Sequence, residues 1–152
     1  MTTEKDIPGN TLKLCSYNMH GFNNGHPVLK DLCAENDFIF VQEHWLMSSH
    51  LSKFNNIHDN FLFYGVSAMD SAYSKGILRG RPFGGVGVLV RKSLANYTSF
   101  CGSHQQNRAI AVKFNNGDLQ VVCIGVYFPS DRSCQDYTNS ICSINGFIES
   151  SY

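Results

Sequence analysis

Three polar side chains stand at the ends of apolar runs: Asn18 in SYNMHG, Glu43 in DFIFVQEHW and Tyr127 in GVYFP. A carboxylate supplies an oxygen ligand to a hard cation such as Mg²⁺. An amide can orient a phosphate or a water, and a phenol can hydrogen-bond a phosphate oxygen. Strand ends converge at one edge of a sheet, so residues far apart in sequence can meet there. The combination suggests metal-assisted phosphoester chemistry. Each residue also has a plainer reading. Glu43 is then a solvated strand end, Asn18 a turn former beside glycine, and Tyr127 a half-buried aromatic.

These residues need elements to hold them. TLKLCSYN alternates apolar and polar residues and reads as a first strand. GFNNG reads as a loop, and PVLKDLCAEN as a short helix opening at Pro27, with Val28, Leu29, Leu32 and Cys33 on one face. The unbroken run Phe38-Ile39-Phe40-Val41 predicts a strand buried on both faces. A short helix or loop and a strand in NFLFYGVS follow, then a long polar loop over residues 69–85. Val86, Val88 and Val90 mark another strand. In RAIAVKFNNGDLQVVCIGVYFP two β-prone runs flank Asn116-Gly117, a strong hairpin signal. Beyond Pro129 the period changes. Ser133 with Asp136 resembles a capping box, and Tyr137, Ile141, Ile144 and Ile148 form a helical stripe. Strands with apolar residues on both faces and helices to cover them predict a layered α/β arrangement with an at least partly antiparallel sheet.

Composition narrows the function. The 152 residues suit one domain, residues 11–152 after a polar tail over 1–10, and 16% charged against 43% hydrophobic residues supports a packed core. A formal net charge of zero argues against coating nucleic acid by bulk charge, while leaving room for local phosphate contacts. No apolar run is long enough to span a membrane, and the N-terminus lacks the apolar stretch of a signal peptide. The expected location is intracellular and soluble, compatible with the nucleus. The six cysteines include no C-x-x-C pair, and Cys15, Cys33 and Cys123 read as small buried hydrophobes.

SYNMHG, FVQEHWL, GGVGVLV and GVYFPS, in this order and spacing, resemble the endonuclease/exonuclease/phosphatase family, with its deoxyribonuclease I-like fold. QEHWL, GRPFGGVGVLVRKSL and NRAIAVKF resemble most the endonuclease domain of non-long-terminal-repeat retrotransposons. The likeness runs from about Leu12 to Tyr152. It implies the N-terminal part of a four-layer α/β sandwich, with a mixed, mostly antiparallel sheet and most of the second sheet missing. It implies Mg²⁺- or Mn²⁺-dependent phosphodiester hydrolysis on DNA. Glu43 would be the metal-binding glutamate, Asn18 the asparagine beside metal and phosphate, Tyr127 the tyrosine on the phosphate, and Gln42 a brace behind them.

The departures are as informative. The family's later motifs, Gly-Asp-Phe-Asn and Ser-Asp-His, are absent, and Gly117-Asp118 belongs to the hairpin. Loss of a general acid/base alone costs about 10²–10⁴-fold. One glutamate is also a weak Mg²⁺ site. The expectation is a truncated domain, inactive on its own and prone to self-associate through uncovered sheet. Two alternatives stand beside it. One is a non-catalytic remnant that binds nucleic acid or protein; the other is the phosphatase or phospholipase branch of the same family. Among the remaining polar residues, His20 can line the cleft, and His44 points away from Glu43 if the strand stays regular. His104 has no evident partner. Lys75, Arg79 and Arg81 form a basic loop that is either solvated surface or a contact to a DNA backbone.

Overall fold

The computed structural model describes residues 11–76, 82–128 and 135–152. The anticipated N-terminal tail, Arg79, Arg81 and Ser133 lie outside the described residues. Two sheets carry the fold. The first has the order β1 (Leu14–Asn18), β2 (Phe38–Gln42), β4 (Val86–Arg91), β3 (Phe61–Val66); the second has the order β5 (Thr98–Ser103), β6 (Ala109–Asn115), β7 (Gln120–Val126). Strands β1 and β2 are parallel, and every other pairing is antiparallel. The expected α/β layering and mixed sheet are therefore present.

The period-2 pattern of β2 divides its side chains between two cores. Ile39 and Val41 pack with Leu29, Cys33 and Phe54 on the side of helix α1 (Phe22–Glu35). Phe38 and Phe40 pack between the sheets with Val86, Val88 and Val90 of β4 and Ile110, Val112 and Phe114 of β6. All five β2 residues are buried, as the continuous apolar run requires. Sheet-to-sheet contact is close at Gly125, where a Cβ would lie 2.5 Å from Phe40 Cδ1.

Helix α1 begins at Phe22, five residues before the expected start at Pro27. Two local features make this possible. Pro27 has no N–H to offer the carbonyl of Asn23, and His26 Nδ1 lies 3.2 Å from that oxygen instead. Gly25 lets the first turns rest on Met19, since a Cβ there would stand 2.7 Å from Met19 Cβ. The polar stretch after Met69 contains a short helix, α2 (Asp70–Ser74), where only a loop was expected.

Strand β5 has no counterpart among the strands read from sequence. It is an edge strand, half of it exposed, with a bulge between Phe100 and Gly102. The β6–β7 hairpin forms as expected, although its loop has four residues, from Asn116 to Leu119. Asn115 Oδ1 accepts from Gly117 N, and Asn116 Oδ1 accepts from Asp118 N and Leu119 N. Helix α3 (Gln135–Ser150) buries Ile144 of the anticipated stripe completely. It is pinned to the loop between β5 and β6 by Ser143 Oγ, 2.6 Å from His104 Nε2. Cys15, Cys33 and Cys123 are free thiols, each with its pKa raised by burial. No helix among the described residues is long and apolar enough to cross a membrane.

Candidate active site

The C-terminal ends of β1 and β2 lie side by side, with Asn18 in register with Gln42. Aligned residues share a face, so Leu14, Ser16 and Asn18 point to the same side as Phe38, Phe40 and Gln42, toward the second sheet. Gln42 is 8% exposed, and its amide nitrogen donates to Ser16 Oγ at 3.0 Å. The Gln42 side chain thereby ties the ends of β1 and β2 together. Across from them a cleft of about 470 Å³ is bounded by Ser16, Phe40 and Gln42 on one side and by Ile124, Gly125 and Val126 on the other. Tyr127 is the next residue of the chain. It packs half-buried on the inter-sheet core, and its N–H donates to Arg108 O at 2.8 Å.

Beyond the strand ends the backbone stops alternating. Glu43 has φ 57°, Trp45 φ 57° and His20 φ 48°, three of the four non-glycine residues with positive φ among the described residues. Gly21 (φ 93°), Gly84 (φ 64°) and Gly85 (φ 91°) join them. At the non-glycine positions such conformations cost about 1–3 kcal/mol each, and they concentrate at functional sites. Here a lattice of main-chain bonds holds them. Gly21 N donates to Glu43 O at 2.8 Å, Phe22 N to His44 O at 2.9 Å, Glu43 N to Gly85 O at 2.9 Å and Trp45 N to Gly84 O at 3.1 Å. Three chain segments are thereby woven into one platform.

The Glu43 side chain is held by the same platform. Its Oε2 accepts from Trp45 Nε1 and from Gly84 N, the latter at 3.2 Å. Trp45 is held in turn by Gly21, where a Cβ would stand 2.6 Å from the indole Cε3. Asn18, exposed at the end of β1, accepts from His20 N on its Oδ1 at 3.1 Å, which leaves the amide hydrogens facing outward as donors. His20 is exposed.

The three histidines weighed as candidates separate by geometry. His44 is fully buried, on the α1 side against Phe54. Its Nε2 faces Val66 O at 3.0 Å and its Nδ1 accepts from Leu46 N at 3.0 Å, so both nitrogens are committed. Burial pushes its pKa down to about 4, only partly offset by the Val66 carbonyl and the charge of Glu43. It is a structural histidine, although the regular strand that expectation assumed ends at Gln42. His104 is 3% exposed; Gln106 N lies 3.3 Å from its Nδ1, so Nε2 carries the proton toward Ser143. That tautomer cannot take a proton from the serine, and the pair docks helix α3. His20 alone of the three lies near Asn18 without burial.

The sequence reading assigned no role to Trp45 or Arg108. Trp45 carries a signal in being the sole tryptophan of the chain, two residues from a candidate carboxylate. The Gly84-Gly85 pair reads from sequence only as the entry to a strand. Lys75 is exposed in the turn after α2.

Among the described residues no group of three or more His, Cys, Asp or Glu converges as a cation cage. The described residues offer one clamped carboxylate at Glu43, one exposed amide at Asn18 and a half-buried tyrosine at Tyr127, each at or directly after a strand end. Mg²⁺ commonly binds through one or two carboxylates and keeps its waters until substrate oxygens replace them. One clamped carboxylate and one exposed amide are compatible with such a hydrated ion.

No family model matches the sequence, and no curated protein matches it. Solved structures do. The 3′ phosphatase NExo from Neisseria, bound to a product DNA hairpin, superposes with a TM-score of 0.63 at 17% identity, over 91% of this chain and 51% of that one. The AP endonuclease LMAP from Leishmania major gives 0.61 at 14% identity, over 90% and 45%. The endonuclease domain of TRAS1, a telomere-specific non-LTR retrotransposon, gives 0.51 at 10% identity, over 88% and 53%. The chain therefore has the deoxyribonuclease I-like fold of the exonuclease/endonuclease/phosphatase enzymes, and it spans about half the length of the structures it matches.

Proposed function

We propose that the ends of β1, β2 and β7 form the metal- and phosphate-holding half of a Mg²⁺-dependent centre for phosphodiester cleavage in DNA, of the retrotransposon endonuclease kind. The observation that carries this reading is the clamp on Glu43. A carboxylate in left-handed backbone directly after the end of β2, fixed by an indole N–H and a main-chain N–H, is not a casually solvated strand end. Similarity to enzymes that process DNA supports the substrate class.

Each residue then has a task. Glu43 and the Asn18 carbonyl oxygen offer ligand oxygens to the cation. The Asn18 amide hydrogens and the Tyr127 hydroxyl donate to phosphate oxygens and fix the ester in the cleft. Gln42, locked on Ser16, keeps the β1 and β2 ends together. When bound, Mg²⁺ neutralises charge on the phosphate and polarises its oxygens. Proton transfer to the leaving group needs a positioned acid or base. Neither Gly-Asp-Phe-Asn nor Ser-Asp-His occurs in the sequence, and His44 and His104 are committed elsewhere. The chain alone thus holds substrate better than it turns it over.

The test pairs binding with turnover. Mg²⁺-dependent retention of a DNA duplex, measured by mobility shift, is expected for the wild-type chain and lost in Glu43→Ala. Nicking of supercoiled plasmid is expected to be undetectable in both. Retention that is identical in both proteins overturns the assignment of Glu43. Mg²⁺-dependent nicking abolished by Glu43→Ala overturns the claim that the proton-transfer half is missing.

A further inference from the structure

The clamp on Glu43 sets how its carboxylate can meet a cation. A carboxylate oxygen has two lone-pair sites. On Oε2 both are engaged, one by Trp45 Nε1 and one by Gly84 N. A cation approaching Glu43 is therefore directed to Oε1, in one-oxygen coordination. Bidentate approach would require Oε2 to release a donor. The donors cannot drift away easily. Gly84 is anchored by its carbonyl to Trp45 N at 3.1 Å, and the indole ring is backed by Gly21 at a distance no Cβ would permit.

We propose that Trp45 is the positioning residue of this site, fixing Glu43 for one-oxygen coordination and so favouring Mg²⁺ over Ca²⁺. Mg²⁺ demands near-octahedral geometry and takes carboxylates one oxygen at a time, while Ca²⁺ accepts bidentate carboxylates at longer distance. The inference rests on Glu43 being the cation ligand. Outer partners of this kind usually affect metal affinity 10–100-fold. Trp45 acts through Glu43 and touches neither metal nor phosphate. Because it is the sole tryptophan of the chain, its emission also reports on the site directly.

The test is calorimetric titration with Mg²⁺ and with Ca²⁺ of the wild type, Trp45→Phe and Glu43→Gln. Phe keeps an aromatic ring but removes the indole N–H and part of the ring, so a role in packing alone predicts equal weakening for both cations and an unchanged affinity ratio. The expected result is about 10-fold weaker Mg²⁺ binding in Trp45→Phe, with Ca²⁺ binding unchanged or tighter, so that the ratio of the two affinities falls. In the wild type, tryptophan emission is expected to change saturably with Mg²⁺ at the calorimetric midpoint. This second measurement stands even if the variant fails to fold. Binding lost in Glu43→Gln but equal in wild type and Trp45→Phe overturns the inference alone. So does wild-type emission that ignores bound Mg²⁺. Binding equal in wild type and Glu43→Gln overturns the metal-ligand reading, and the inference with it.

Discussion

At the scale of the residue, the platform under Glu43 depends on glycines in conformations that other residues avoid. Gly85 illustrates this most sharply. Its φ is 91°, its carbonyl receives Glu43 N, and a Cβ added there would lie 2.2 Å from His44 Cε1. The ring cannot yield, since both its nitrogens are hydrogen-bonded. Gly85→Ala is expected to cost about 2–4 kcal/mol, combining left-handed strain with overpacking. Gly117→Ala is the control. It has a similar φ, 95°, at a hairpin tip with nothing within 4 Å of the added carbon, so strain alone applies and the cost falls to about 1–2 kcal/mol. Urea denaturation of the two variants against wild type measures the difference, and equal losses would refute the steric argument at Gly85. None of this could be read around Glu43 itself. The sequence shows the type of side chain and its place after an apolar run. It does not show that the strand alternation breaks at that residue, because the cause lies in Gly84 and Gly85, some forty positions away.

At the scale of the element, Arg91 joins the end of β4 to the C-terminus of α1. Its Nε pairs with Asp37 Oδ1 at 3.0 Å, its Nη2 donates to both Cys33 O at 3.0 Å and Asn36 O at 2.6 Å, and the guanidinium lies 4.9 Å from the Phe61 ring centroid. The two carbonyls are at the end of α1, where a cation also meets the negative end of the helix dipole. Arg91→Ala removes all of these at once from a half-buried place. A loss of about 2–3 kcal/mol is expected in thermal or chemical melts, and Arg91→Lys should recover less than half of it, because a point charge cannot reproduce the fork. A full recovery by Lys would show that charge alone is at work. Elements with strong internal patterns were legible from sequence: β2 through its unbroken apolar run, β4 through alternating valines, and the β6–β7 hairpin through Asn116-Gly117. Strand β5 was not, because a half-exposed edge strand buries too few side chains to leave a periodic signal. The start of α1 was misplaced because proline and glycine signal a boundary in sequence. Here His26 serves the carbonyl that Pro27 leaves without an N–H, and Gly25 is needed for contact with Met19.

At the scale of the whole molecule, two buried histidines stand at opposite layers and make stability depend on pH in the same direction. His44 lies in the α1-side core, its pKa pushed down to about 4 by burial, with the nearby Glu43 charge and Val66 carbonyl opposing the shift. His104 lies under α3, its pKa also lowered by burial and by the charge of Arg108. In the unfolded chain both return to the ordinary histidine value near 6.5. Between the folded and unfolded values the unfolded state binds more protons, so stability rises with pH there and falls as pH drops. The full contribution is present above about pH 6.5. It declines on acidification and, for His44, is exhausted near pH 4, with a total for that residue on the order of 3 kcal/mol. Carboxylates with depressed pKa, such as Asp70, act at lower pH and do not confuse the upper part of this window. Urea midpoints measured from pH 7.5 to pH 4.5 should therefore fall steadily below about pH 6.5. His104→Gln retains a donor toward Ser143 without a titrating ring, so it is expected to flatten part of that decline while leaving α3 docked, as followed by helical circular dichroism. A flat wild-type profile over this range would contradict the burial of neutral histidines in both layers.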